Sequence, residues 1–329
     1  MLVGPTAVGK TAVAQWLAER LGVPILSADS MLVYRGMDIG TAKPTPAERG
    51  AVPYFGIDCV EPGTPFSTGA WLSFVRRQLE EHEEGKREQG RGDGEWKVSP
   101  ISNPTTCGAD APQVVVAGGT GLYIRALLCG LDAPPSDGAA RARWAAVFEF
   151  GGLAALRAAL DANPAARALL SEGDLANPRR LIRALERAEA GEEPAPRPSP
   201  APERPVAGLT MPRDRLAARI KDRIDKMFKD GLVEEAVAVR DASGGFSSTA
   251  CGAIGYAEAL AVADGLLTRP EAAERIAART RQLAKRQFTW FRHQIRVDWI
   301  EVEDDDSPAT LGPKVLEIWK RHGCCKIET

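Results

Sequence analysis

The sequence predicts an α/β protein: a parallel sheet flanked by helices, with a helical insertion subdomain and C-terminal helices. Three observations predict it. A glycine-rich loop, Gly4-Pro5-Thr6-Ala7-Val8-Gly9-Lys10-Thr11, stands between a short apolar run and a stretch with helical spacing. The order strand, glycine turn, helix returns at QVVVAGGTGLYIRALL, as a parallel sheet with covering helices requires. Between Ser136 and Glu189 alanine and arginine dominate without a β-branched run, which suits helices rather than strands.

The elements follow in chain order. Met1 to Val3 precede the first glycine, where a strand of about 5 or 6 residues is usual, so a start further upstream is expected. Thr11 to Leu21 carries apolar residues at helical spacing and stops at Gly22, and Val23 to Leu26 forms a short strand ending at Ser27. KREQGRGDGEWKVSPISNPTTCGADAP, between Gly85 and Pro112, is polar and turn-rich and reads as a flexible surface insertion. Gln113 to Ala117 is a buried strand turned by glycines into another helix. Residues 194 to 205 hold six prolines in twelve positions, which forbids a helix and marks a linker. Val206 to Leu209 supplies a last core strand, and Arg213 to Arg240 and Pro270 to Arg296 read as long helices. The division is therefore 1–135 for the first part of the core, 136–190 for the helical insertion, and 191–329 for core completion and basic C-terminal helices.

Composition excludes several classes. Lysine plus arginine number 42 against 44 acidic residues, so any nucleic-acid site must be a local patch. Cys59, Cys107, Cys129, Cys251, Cys324 and Cys325 form neither a CxxC pair nor a zinc-ligand pattern with histidine. Reduced thiols in a cytoplasmic protein are expected. No apolar run approaches the roughly 18 residues of a membrane span, and at 329 residues the chain is long enough for a core domain with an appendage.

The loop Gly4 to Thr11 matches GxxxxGK[ST] in full, making the fold P-loop NTPase-like. Its N–H groups and the helix N-terminus converge on an anion, Lys10 adds a charge, and the Thr11 hydroxyl can hold Mg²⁺. The motif specifies a di- or triphosphate without saying which. Asp29 follows the second strand, at the carboxyl end where open α/β sheets place ligands. There it could bind Mg²⁺, cap a helix or accept a proton, and the residues leave all three open.

Two stretches are locally basic. RIAARTRQLAKRQFTWFRHQIR, residues 275 to 296, has seven lysines and arginines, no acid, and Phe288, Trp290 and Phe291 interleaved. It suits an RNA-binding helix that tracks phosphates and stacks on bases, or equally an amphipathic helix whose aromatics enter the core. Asn177-Pro178-Arg179-Arg180-Leu181-Ile182-Arg183 offers an N-cap and three arginines that face phosphates or solvent. Glu303 to Asp306 reads as an exposed loop.

Taken together, GPTAVGKT, ADSMLVYRGMDIGTAKP, GGTGLYIRAL, NPRRLIRAL, IGYAEAL and TRQLAKRQFTWFR resemble the bacterial-type tRNA dimethylallyltransferase (tRNA isopentenyltransferase) family, in its order and along nearly the whole chain. The resemblance implies transfer of a dimethylallyl group from its diphosphate to N6 of the adenosine 3′ of the anticodon. Gly4 to Thr11 would then hold a diphosphate leaving group, with Mg²⁺ on Thr11, and Asp29 would be the general base. Thr6, Arg219 and Arg223 would serve catalysis, one of the two arginines reaching the diphosphate. The tRNA would meet Asp29, Ser30, Met31, Leu32, Thr120 and Arg125, the insertion's Arg179, Arg180 and Arg183, and a platform of Lys285, Arg286, Gln287, Trp290 and Arg292. Partners implied are the tRNA anticodon stem-loop and dimethylallyl diphosphate, with no membrane and a monomeric enzyme. Leu32 stands where many members carry glutamine, so that side chain's hydrogen bond to tRNA is absent. The alternatives are an adenylate isopentenyltransferase acting on free AMP, ADP or ATP, and a P-loop small-molecule kinase.

Overall fold

The computed structural model describes residues 1–88, 114–130, 137–191 and 205–322. Contacts divide the chain into two compact units, one of residues 1–130 and 201–329, the other of residues 131–200. The first unit begins β1 (Leu2–Val3), α1 (Lys10–Leu21), β2 (Ile25–Ser27), α2 (Pro46–Arg49), β3 (Tyr54–Phe55), α3 (Thr68–Glu88), β4 (Val115–Gly118) and α4 (Gly121–Cys129). The second holds α5 (Gly138–Asp161), α6 (Pro164–Ala168) and α7 (Pro178–Glu189). The chain then returns through β5 (Ala207–Thr210), α8 (Arg213–Asp230), α9 (Leu232–Ser243), α10 (Tyr256–Ala263), α11 (Arg269–Gln294), β6 (Asp298–Glu301) and α12 (Pro308–Arg321).

Six strands lie in the order β3-β2-β4-β1-β5-β6, and every neighbouring pair is parallel. Helices on both faces bury such a sheet, so its inner strands are mostly apolar: Leu2, Val3, Ile25, Leu26, Val115, Ala207 and Leu209 are almost wholly buried, whereas the edge strand β6 carries Asp298 and Glu301 and is not. Each buried leucine or isoleucine contributes roughly 1.5–3 kcal/mol by leaving water. β1 is short but well tied. The Met1 amino group donates to the Pro205 carbonyl at 3.0 Å, and the Met1 carbonyl accepts from Ala207 N–H at 3.0 Å.

Several expectations are corrected. The helix expected over 213–240 is two helices, because Gly231 takes φ 104°, a left-handed conformation that ends α8 and starts α9. The insertion expected from Gly85 begins later, since α3 runs to Glu88; residues 89–113 lie outside the described residues, as do residues 192–204, which hold all of the proline-rich stretch 194–205 except Pro205. Glu303 to Asp305 are exposed, but Asp306 accepts from Glu303 N–H at 2.9 Å and from Thr310 Oγ1 at 2.9 Å, so it ties the turn that leads into α12.

Within the second unit Leu156, Leu160, Ala166, Leu181, Ala184 and Leu185 form a separate small core. Asn177 caps α7 by accepting from Arg179 N–H at 3.1 Å. Arg180 pairs with Asp174 and Arg183 with the buried Glu186 at 2.6 Å, while Arg179 is exposed.

Candidate active site

The carboxyl ends of β1, β2, β4 and β5 lead, in turn, into the glycine loop, Asp29, the turn before α4, and α8. Four elements far apart in sequence thus empty onto one edge, where doubly wound sheets bind ligands. The loop arrives at α1 through Gly9, whose φ of 103° lets the backbone turn its N–H groups inward. Ala7, with φ 66°, holds a conformation that non-glycine residues rarely adopt, a strain typical of ligand-clamping loops.

Lys10 Nζ donates to the Pro5 carbonyl at 2.6 Å, so the ammonium folds back across its own loop. Burial pushes Lys10 down to about 8, Asp29 opposes the fall, and Arg223 adds to it. Thr6 is held at two points. Its N–H donates to Gln287 Oε1 at 2.8 Å, and its hydroxyl accepts from one Arg223 nitrogen at 3.4 Å. The other Arg223 nitrogen donates to the Thr41 carbonyl at 3.1 Å. Burial holds the Arg223 guanidinium below its usual pKa and Asp29 works against that. Arg219, one turn earlier on α8, brings a guanidinium nitrogen to 3.7 Å from where a Cβ on Gly9 would lie. Spacing of four residues puts both arginines on one helix face, so both reach the loop.

Asp29 is set by its neighbours' backbone. Ala28 N–H donates to the Ala117 carbonyl at 2.8 Å, and the Ala28 carbonyl accepts from Thr120 N–H at 3.0 Å. Ser30 N–H donates to Thr120 Oγ1 at 3.0 Å, and that hydroxyl donates onward to Ser30 Oγ at 3.2 Å. Asp29 Oδ1 accepts from Met31 N–H at 2.9 Å, an Asx turn that fixes the carboxylate rotamer. Oδ2 has no hydrogen bond among the described residues and is free to accept one. Leu32 and Arg125 are half-buried, and the Leu32 carbonyl accepts from Asp58 N–H at 3.1 Å.

This arrangement needs Gly118, because a Cβ there would stand 2.2 Å from the Ala28 carbonyl oxygen and 2.4 Å from its carbon. Backbone cannot yield as a flexible side chain can. Gly118→Ala should therefore cost roughly 1–3 kcal/mol of stability or more and shift Asp29; denaturant unfolding combined with turnover should register both losses.

The basic helix settles one open choice in part. Phe291 is wholly buried, Phe288 packs on Trp299 at 5.0 Å, and Trp290 is half-buried with its ring where a Cβ on Gly121 would clash at 2.3 Å. Phe291 thus lies in the core, while Phe288 and Trp290 pack against neighbouring elements with part of each ring still exposed. Their spacing along the helix repeats the core face of Ile276, Ala277 and Ala284. Gln287, on the same helix, faces the glycine loop through the bond it accepts from Thr6 N–H. Lys285, Arg286 and Arg292 are exposed and keep a cationic face. Sequence reasoning missed Glu235, Thr41 and Tyr256, of which Thr41 and Tyr256 carried a signal, standing in the ADSMLVYRGMDIGTAKP and IGYAEAL blocks.

No cluster of three His, Cys, Asp or Glu side chains among the described residues could hold a metal. Thr11, exposed in the first turn of α1, fits an ion bound mainly through ligand phosphate oxygens, as Mg²⁺ commonly is. No helix among the described residues is long and apolar enough to cross a membrane.

Fold and site define a P-loop α/β protein in which a loop suited to a phosphate group stands beside a fixed carboxylate and an exposed basic helix. The IPP transferase family model matches residues 32–88 and 106–294, and the isopentenyl transferase model matches residues 1–52. The tRNA dimethylallyltransferase of Kineococcus radiotolerans is 37% identical over 328 residues, 96% of this chain and 95% of the relative. That of Geobacter metallireducens is 38% identical over 308 residues, covering 91% and 90%. The tRNA isopentenylpyrophosphate transferase of Bacillus halodurans superposes with a TM-score of 0.61 at 32% identity, covering 97% of this chain and 96% of that one. A eukaryotic dimethylallyltransferase acting on tRNA shares the fold with a TM-score of 0.70 at 19% identity, over 99% and 80% of the two chains. The chain belongs to the IPP transferase family, that of the tRNA dimethylallyltransferases.

Proposed function

We propose that this enzyme transfers the dimethylallyl group of dimethylallyl diphosphate to N6 of the adenosine 3′-adjacent to the anticodon, tRNA position 37, and releases diphosphate. The observation that carries the reading is the meeting of Lys10, Arg223 and Asp29 at one sheet edge around the Thr6 loop. As the allylic C–O bond breaks, negative charge grows on the departing diphosphate. Loop N–H groups, Lys10 and the Arg219 and Arg223 guanidinium groups stabilise it in this reading.

Adenine N6 is a weak nucleophile because its lone pair is delocalised into the ring. The new C–N bond forms at the allylic carbon while N6 loses a proton, which Asp29 Oδ2 accepts as general base. When bound, Mg²⁺ on Thr11 and the diphosphate oxygens would neutralise leaving-group charge. The target base must leave its stack to reach this site, which requires a grip on the surrounding RNA. Lys285, Arg286 and Arg292 on α11 fit the phosphates of an anticodon stem-loop, as do Arg179, Arg180 and Arg183 on α7. Thr120 serves the reaction by holding the Asp29 turn. The enzyme acts as a monomer in the cytoplasm.

Replacing Lys285 and Arg286 together with alanine should weaken tRNA binding and lower the slope of log affinity against log salt, by about 0.7–0.9 for each phosphate no longer neutralised. An unchanged slope in filter binding would return both residues to a merely solvated face. The reaction itself is tested by incubating purified enzyme, Mg²⁺ and dimethylallyl diphosphate with unmodified tRNA transcripts bearing adenosine or guanosine at position 37. Nucleoside mass spectrometry should find N6-(dimethylallyl)adenosine in the first transcript only; absence of product there would overturn the proposal.

A further inference from the structure

Glu235 on α9 has no role in the reaction proposed above, yet its carboxylate gathers four donors. Oε2 accepts from Asp38 N–H at 3.0 Å and Ile39 N–H at 2.7 Å. Oε1 accepts from Gly40 N–H at 3.0 Å and from the Tyr256 hydroxyl at 2.6 Å. Three successive N–H groups pointing at one anion form a nest, and charge-assisted bonds of this kind are among the strong ones. The loop is pressed close to α10: a Cβ on Gly40 would lie 2.5 Å from the Tyr256 ring.

The next residue is Thr41. Its hydroxyl donates to the Met37 carbonyl at 2.6 Å, closing the turn, and its carbonyl receives Arg223 at 3.1 Å. The same guanidinium reaches Thr6 Oγ1 with its other terminal nitrogen. A guanidinium is a rigid planar fork, so anchoring one nitrogen orients the other. We infer that Glu235 is a positioning residue: it clamps the 38–40 backbone so that the Thr41 carbonyl aims Arg223 at the diphosphate loop. The inference rests on the proposed role of Arg223 as a diphosphate contact. It assigns the α9 face a function that nothing in the motif pattern requires.

Glu235→Gln tests this with little change of shape, because its amide would present N–H groups where the carboxylate accepts them. The probe is inorganic diphosphate, titrated calorimetrically into the full-length protein, with tRNA affinity and melting temperature measured beside it. Glu235→Gln should weaken diphosphate binding about tenfold while tRNA affinity stays within about twofold. In an Arg223→Ala background the same substitution should change diphosphate affinity by less than about twofold, since the group it acts through is gone. An equal loss in both backgrounds, or a parallel loss of tRNA affinity, would overturn the inference. Should Glu235→Gln fail to fold, Tyr256→Phe removes one donor alone: a smaller loss that vanishes with Arg223→Ala supports the clamp, and an additive one overturns it. Diphosphate binding is read without any acceptor, so an enzyme that fails to modify tRNA would sink the proposed reaction and leave this cycle readable.

Discussion

Asp29→Asn is expected to lower the rate of the chemical step by about 10²–10⁴-fold, the usual contribution of a positioned general base, with tRNA affinity changed by no more than about twofold. The asparagine carbonyl can still accept from Met31 N–H, and the Ala28 and Ser30 backbone bonds do not involve the side chain. The turn should therefore persist while the proton acceptor is lost. Single-turnover kinetics under saturating substrates would separate the two quantities. Equal losses in binding and in turnover would make Asp29 a structural or tRNA-contacting residue instead.

Lys10→Met should reduce kcat/KM for dimethylallyl diphosphate by about 10²–10³-fold, the size seen when one preorganised electrostatic donor is removed. Methionine keeps much of the stem volume and none of the charge. A pH dependence follows from the pKa of about 8. Bound diphosphate favours the ammonium, so the pKa rises on binding, and affinity should be flat below pH 8 and fall as pH climbs above it. Lys10→Met should flatten that profile. Linkage also gives the sign for stability. The unfolded chain holds the Lys10 proton up to about 10.5 and the folded protein only to about 8, so this group costs stability below pH 8 and the cost is relieved as pH rises toward 10.5. Lys10→Met should thus melt higher than the parent at pH 7, with the gap closing by pH 10.

Much of the chemistry was legible because it is local. The glycine loop, the strand ending at Ser27 and the carboxylate after it are contiguous patterns, and four residues of spacing already place Arg219 and Arg223 on one face. Tyr54–Phe55 makes a strand of two residues, too short for any periodicity, and β6, half-exposed along its length, is an edge strand without a clear alternation. Gly231 is itself a stop signal, but apolar residues keep helical spacing on both sides of it, so spacing alone hides the break. What escaped in the site is long-range. Gln287 meets Thr6 across 281 residues, and Glu235 reaches the 38–40 backbone across 195 to 197; neither bond leaves a trace in residue spacing. The aromatics of α11 were ambiguous for a different reason, since a core face and a base-stacking face share one helical period and only packing tells them apart.

The most direct measurement offers the purified enzyme, with Mg²⁺ and radiolabelled dimethylallyl diphosphate, a choice of acceptors: unmodified tRNA bearing adenosine 37, AMP and ATP. Label should enter tRNA alone and should be lost with Asp29→Asn. Label in AMP or ATP, with none in tRNA, would contradict the account and make the chain an adenylate isopentenyltransferase.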